Sequence, residues 1–124
     1  MPIHKFGRKP APPRDPPNVS YRPHENLLYP ARARIGRYEV FVQEQFTIQP
    51  RAMATVMLKF GITIRPGGMV FTSLRNDLIL KRLILLNGII FETVDDIVVT
   101  LLNNSDVAVT LNAGDSLCYV GRQM

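Results

Sequence analysis

Apolar and polar residues alternate with a period of two along most of the chain from Tyr38 onward. That period places successive side chains on opposite faces of extended strands. Tyr38-Glu39-Val40-Phe41-Val42 is rich in β-forming residues, and Phe46 and Ile48 alternate with Thr47 and Gln49 before Pro50 ends the strand. Val56, Leu58, Phe60, Ile62 and Ile64 recur at every second position and predict one long strand, with a bend or bulge at Gly61. Pro66-Gly67-Gly68 is a turn, and Met69 to Ser73 is a further strand. Leu78–Leu86 fits a helical turn followed by a strand. Ile97 to Leu102 is apolar at both parities, so both of its faces need cover. Asn103-Asn104-Ser105-Asp106 and Asn112-Ala113-Gly114-Asp115 are turns, flanked by strands at Val107 to Leu111 and Leu117 to Val120. Short strands with polar turns at close spacing predict an all-β sandwich or barrel.

The first third reads differently. Eight of the ten prolines lie in residues 1–34, together with seven basic and two acidic residues. Proline fixes φ and lacks a donor, so this stretch is expected to be extended and to exclude helices and inner strands. The chain therefore divides into a basic, proline-rich arm, residues 1–35, and a β domain, residues 36–124. Lys5, Phe6, Arg8, Lys9, Arg14, Tyr21 and Arg22 are the arm's candidate contacts with a partner, either a protein surface or nucleic acid. The net charge of +5 resides in the arm, because residues 35–124 hold eight charges of each sign.

The 124 residues, 46% of them hydrophobic, suit one small domain. Strands so rich in Ile, Val and Leu exceed what one core of this size hides, which points to an oligomer. No run approaches the length of a membrane span, and no secretory leader is evident. The single Cys118 excludes an internal disulfide, in keeping with an intracellular location, host cytoplasm or nucleus, or a virion. Cys118 reads as a packed core thiol. His4 and His24 show no zinc spacing, Asp95-Asp96 reads as a solvated turn, and no cofactor or metal is expected.

Several segments, in order, resemble the trimeric dUTPase family. Gly36-Arg37-Tyr38-Glu39-Val40 resembles that family's Ala-Gly-Tyr-Asp-Leu, and Leu74-Arg75-Asn76-Asp77-Leu78 sits where Pro-Arg-Ser-Gly-Leu is expected. Gly88-Ile89-Ile90 resembles Gly-Val-Ile, Val99 to Asn103 a long strand ending in Asn, and Asn112 to Leu117 the family's Gly-Asp-Arg-Ile. The resemblance covers Gly36 to Val120. It implies a distorted β-barrel or jelly-roll protomer in a homotrimer, with each active site built from three subunits. It also implies residual nucleotide-pocket positions at Glu39, Arg75 and Glu92.

The same alignment argues against catalysis. Phe91 stands where the family's water-activating Asp is expected, and Glu92 reaches that place only by a shift. Tyr119 replaces a Gln, Asn76 a Ser and Glu39 an Asp. The sequence ends at Gly121-Arg122-Gln123-Met124, without the family's glycine-rich closing arm. The expectation is therefore no enzyme but a catalytically inactive relative, in the manner of the dUTPase-derived early protein of some adenoviruses. It would be a viral structural or interaction protein, a capsid component or cement, or an adaptor for host signalling proteins. Nonspecific nucleic-acid binding through the arm and residual dUTP binding or hydrolysis are the alternatives.

Overall fold

The computed structural model describes residues 18–122. Twelve short strands and one helical turn are present among them: β1 (Val19–Pro23), β2 (Arg32–Arg34), β3 (Arg37–Phe41), β4 (Phe46–Ile48), β5 (Met53–Met57), β6 (Phe60–Ile64), β7 (Val70–Leu74), α1 (Asn76–Leu80), β8 (Leu83–Leu85), β9 (Ile89–Ile90), β10 (Val98–Asn103), β11 (Val109–Leu111) and β12 (Ser116–Gly121). They form four antiparallel sheets, ordered β2-β3-β12-β7-β9, β5-β10-β8, β1-β6 and β11-β4. The all-β architecture is as the alternation predicts. The sheets curl round one core as a distorted barrel, and every sheet contributes: Val40, Val70 and Val120 from the first, Val99 and Leu101 from the second, Val19, Phe60 and Ile62 from the third, Ile48 and Leu111 from the fourth. Edge-on contacts among Tyr21, Tyr38 and Phe60, with ring centroids 5.2–6.3 Å apart, join the first and third sheets.

The long strand expected over Val56 to Ile64 is two strands of different sheets. The chain breaks at Lys59, which adopts φ 58°. Asp96 holds the break open, its Oδ1 accepting from Lys59 N at 2.7 Å and Phe60 N at 3.3 Å. Asp96 is thus a structural acceptor and not a solvated turn residue. Gly61 is no bulge. A Cβ there would lie 2.8 Å from the Asp95 carbonyl oxygen, so the glycine permits close passage of the 94–97 segment. The helical turn and following strand expected within 78–86 are present as α1 and β8.

The division at residue 35 is also corrected. Residues 19–34 are not a free arm: β1 pairs in register with β6, Val19 against Ile64 through Pro23 against Phe60, and β2 pairs with β3. Val19 is buried and Tyr21 packs on the core. The proline argument holds in its narrower form, because β1 has only β6 beside it and Pro23 ends it, where a missing donor costs no ladder bond. Lys5, Phe6, Arg8, Lys9 and Arg14 lie outside the described residues.

The join between the second and fourth sheets rests on Asn103, at the end of β10 and fully buried. Its Nδ2 donates to the carbonyls of Ile48 (3.0 Å), Gln49 (3.2 Å) and Val107 (2.8 Å), while its Oδ1 accepts from Ser105 Oγ at 2.7 Å. Removing this amide strands buried carbonyls, each a desolvation penalty. Asn103→Ala is expected to lower unfolding free energy by about 3 kcal/mol. Asn103→Asp, which turns a carboxylate toward three carbonyls, is expected to cost more at pH 7. Urea unfolding of the two variants checks the order.

Candidate functional site

Strand register assembles the outer face of the five-stranded sheet. Arg32, Glu39, Tyr119 and Ser73 lie opposite one another across β2, β3, β12 and β7. Two residues along, Arg34, Arg37, Gly121, Phe71 and Ile89 form a parallel row. By the period of two, both rows share one face. The Arg37 guanidinium lies 3.7 Å from the centroid of the Tyr119 ring. Arg37, Ser73, Tyr119 and Arg122 border a groove of about 360 Å³. The sequence does not signal this site as a whole, since the β2–β3 hairpin that supplies Arg32, Arg34 and Arg37 meets β7 and β12, with Ser73 and Tyr119, only in the fold.

Glu39 sits within this face but is buried. Arg34 donates to its Oε1 from Nε at 2.8 Å and from Nη2 at 2.6 Å. Burial raises the carboxyl pKa. The neighbouring Ser116 hydroxyl and the Arg34 and Arg32 guanidiniums outweigh it, so the pKa ends below the ordinary value. The Ser116 hydroxyl lies beside the carboxylate without aligning into a hydrogen bond of good geometry. Glu39 is therefore an ionised, internally paired carboxylate.

Arg75 precedes α1, and its backbone carbonyl accepts from Leu78 and Ile79. Its guanidinium makes a two-pronged ion pair with Asp77, through Nε and Nη2. That pairing raises the Arg75 pKa and lowers that of Asp77. Glu92 lies elsewhere, exposed in the turn after β9. Ile90 pairs with Val70 at the start of β7, whereas Arg75 follows the end of β7. β7 itself, four residue steps or on the order of 13 Å, lies between the two positions. One protomer does not bring Arg75 and Glu92 together. Glu92 instead borders a shallow cleft of about 600 Å³ with Arg65, Met69 and Phe91.

Tyr21 and Arg22, expected to contact a partner, engage their own domain. Arg22 reaches over Gly61 to the carbonyls of Ile62 (3.2 Å) and Val94 (3.1 Å), to Thr63 Oγ1 (3.0 Å) and to Asp95 (3.4 Å). The Asp95 carbonyl lies 2.8 Å from the His24 Nε2. These contacts clamp the N-terminal strand onto the 94–97 segment. Cys118 is buried, and burial pushes its thiol up to about 12, which removes it as a nucleophile at neutral pH. Among the described residues no three His, Cys, Asp or Glu side chains converge as metal ligands. No helix there is long and apolar enough to cross a membrane.

No protein-family model matches the sequence, and comparison with curated proteins finds no significant match. Solved structures do match. A mutant dUTPase from phage phi11 of S. aureus superposes with a TM-score of 0.65 at 18% identity, covering 83% of this chain and 88% of that one. Native EIAV dUTPase gives 0.65 at 15% identity, covering 86% and 94%. A mutant dUTPase of Staphylococcus bacteriophage 80alpha, bound to dUpNHpp, gives 0.66 at 12% identity, covering 86% and 84%. The fold of this chain is dUTPase-like.

Glu39→Gln tests the ion pair. A carboxylate with a lowered folded pKa stabilises fully above its unfolded value, near 4.5, and loses that contribution as pH falls through the folded value. The variant is expected to be less stable than wild type by about 1 kcal/mol at pH 7. The gap should close as pH falls below 4.5, as read from urea midpoints across that range.

Proposed function

We propose that this protein is a non-catalytic structural or interaction protein, viral in origin. Its dUTPase-like body would self-associate as a homotrimer, and its basic, proline-rich N-terminal arm would dock onto a larger assembly, a capsid or a host protein complex. One observation carries the reading: two of the three charged groups at the candidate nucleotide-pocket positions, Arg75 and Glu39, are already paired with the chain's own side chains. Arg75 is paired with Asp77, a residue standing where the resembled family has glycine, and Glu39 is paired with Arg34. A triphosphate would have to displace Asp77 before Arg75 could hold it. Phe91 stands where the resemblance puts the water-activating Asp, while Glu92, which reaches that place only by a shift, lies on an exposed turn. Phage dUTPases control transfer of virulence genes by a proto-oncogenic G protein-like mechanism, so this fold also serves regulatory roles elsewhere. The arm of this proposal is shorter than residues 1–35, since β1 begins at Val19.

Pyrophosphate release from dUTP with magnesium is the direct test. No release above the uncatalysed background is expected. Turnover at about 1 s⁻¹ or faster would make the chain an enzyme and end this reading.

A second reading has an observation in its favour. The arginines bordering the Tyr119 groove, Arg37 and Arg122, with Arg32 on the same sheet face, offer a surface for phosphate groups, whether of a nucleotide or of nucleic acid. Nucleic-acid contact is dominated by such charges and weakens steeply with salt. Electrophoretic mobility of a DNA fragment separates the readings. At about 0.15 M salt, the full chain and a variant with Arg32, Arg37 and Arg122 changed to alanine are both expected to leave the DNA unshifted. A shift that survives this salt and depends on those three residues favours the nucleic-acid reading.

A further inference from the structure

The groove beside Tyr119 owes its shape to a missing side chain. In the row Arg34, Arg37, Gly121, Phe71 and Ile89, glycine stands at the centre, so the sheet face is notched between a cation and an aromatic ring. A Cβ on Gly121 would lie 2.8 Å from the Arg37 Cα and Cβ, so β12 passes β3 this closely only because the residue is glycine. The two sides of the notch differ in chemistry. On the β3 side Arg32 and Arg34 act on the buried Glu39, while Arg37 lies over the Tyr119 ring and Arg122 follows β12. Among the described residues neither Arg37 nor Arg122 forms an ion pair. On the β9 side Phe71 stands opposite Ile89, which is 48% exposed. Met69 and Phe91, 47% and 62% exposed, lie one step beyond that pair.

We infer that this face takes an extended peptide of a partner protein in which carboxylate side chains stand close to apolar ones. The inference rests on the interaction role proposed above and gives that role a surface and a partner chemistry. Charge selects the first half of the peptide. The two unanswered guanidiniums flank one groove, and a guanidinium fork takes a carboxylate through two parallel hydrogen bonds. Stacking on Tyr119 already fixes the plane of Arg37, so little side-chain freedom is lost when a carboxylate arrives. The apolar shelf selects the second half. Phe71, Ile89 and Phe91 offer nothing to a phosphate backbone, and two free arginines are few beside the roughly 6–10 phosphate contacts of a protein held to nucleic acid by charge. Strand spacing sets the distance between the halves. Three strand steps of about 4.8 Å, on the order of 14 Å, separate Arg37 on β3 from Ile89 on β9. An extended chain covers that in about four residues, an even number, so both side chains leave the peptide on the same side. The groove therefore fits Asp or Glu followed four positions later by an apolar residue.

The test uses the full chain and fluorescence anisotropy of a labelled peptide, Ser-Glu-Asp-Ser-Thr-Ser-Leu-Phe-Ser, at about 0.15 M salt. Saturable binding is expected. Replacing Glu and Asp of the peptide by Lys is expected to abolish it, and replacing Leu and Phe by Ser to weaken it about tenfold. The double variant Arg37→Gln, Arg122→Gln is expected to bind the peptide at least about tenfold more weakly. Lys81→Gln with Arg82→Gln, the same loss of charge beyond α1, is expected to change nothing. Because a variant can also lose binding by misfolding, two milder changes give independent readings. Arg37→Lys keeps the charge and is expected to lose less than Arg37→Gln. Ile89→Ser, at an exposed position, is expected to weaken the original peptide but not the one that lacks Leu and Phe. Three results overturn the inference: no saturable binding below about 1 mM peptide, unchanged binding by the Arg37→Gln, Arg122→Gln variant, or tighter binding of a short oligothymidylate that the same variant abolishes. The non-catalytic reading is decided separately, by pyrophosphate release, and survives the first two of these.

Discussion

No continuous ladder runs round this barrel. Four small sheets must be held in register by side chains, and the tightest of these joints is the Asn103 amide. Each polar atom of that residue is committed: the backbone N–H to Ala52, the carbonyl to Arg51 N, the side-chain nitrogen to three carbonyls, the side-chain oxygen to Ser105. Full satisfaction is what makes a buried polar residue stabilising, because a half-satisfied one is worse than an apolar side chain. Two further joints work on the same principle. Asp96 pins the break between β5 and β6, and Arg22 pins β1 across Gly61 onto the 94–97 segment. The fold is thus set by a few polar clamps at sheet corners around an aliphatic interior.

That arrangement bears on the pocket positions. Charges that would hold a ligand are most useful when preorganised but unpaired, and here the preorganised groups pair with one another. The Arg75–Asp77 pair spans only two residues and lies half in solvent, so its energetic worth is small. Its effect is positional: it holds the guanidinium at the start of α1. Glu39 is different, since it is buried, and its ionised form is kept by Arg34 across the β2–β3 hairpin. A carboxylate so placed orders the sheet edge. It also leaves Arg37, stacked on Tyr119, to face the groove beside Arg122.

Much of the fold was legible because strand periodicity survives in short segments. The alternation of Val109 and Leu111, the doubly apolar β10, and the α1–β8 passage all follow from where apolar residues fall. The errors have physical causes. Proline density in residues 1–17 obscured the alternation of Val19 and Tyr21, and a run of alternating residues through Lys59 gave no sign that the chain changes sheets there. A lysine at φ 58° has no sequence mark, and the acceptor that stabilises it, Asp96, is 37 residues away. Which partners the charged candidates take was only partly legible. Asp77 lies two residues from Arg75, close enough to be read as its partner. Arg34 meets Glu39 only because Ile35 and Gly36, with φ 76° at the glycine, turn β2 back onto β3. A boundary placed at residue 35 cuts through that hairpin.

The two outer sheet faces divide the surface chemically. One gathers arginines round a tyrosine and a buried carboxylate, while the other is aliphatic with two threonines at its centre. A small domain cannot bury both faces of a doubly apolar strand by itself, since its surface is too large for its volume. On the arginine face Arg34 neutralises the buried Glu39, whereas Arg37 and Arg122 border the open groove. Surface charge gathered without a structural need is the kind of feature that contact with another molecule accounts for. The apolar sheet face and the arginine groove are thus two separate surfaces of one protomer, the first without charge and the second lined by Arg37 and Arg122.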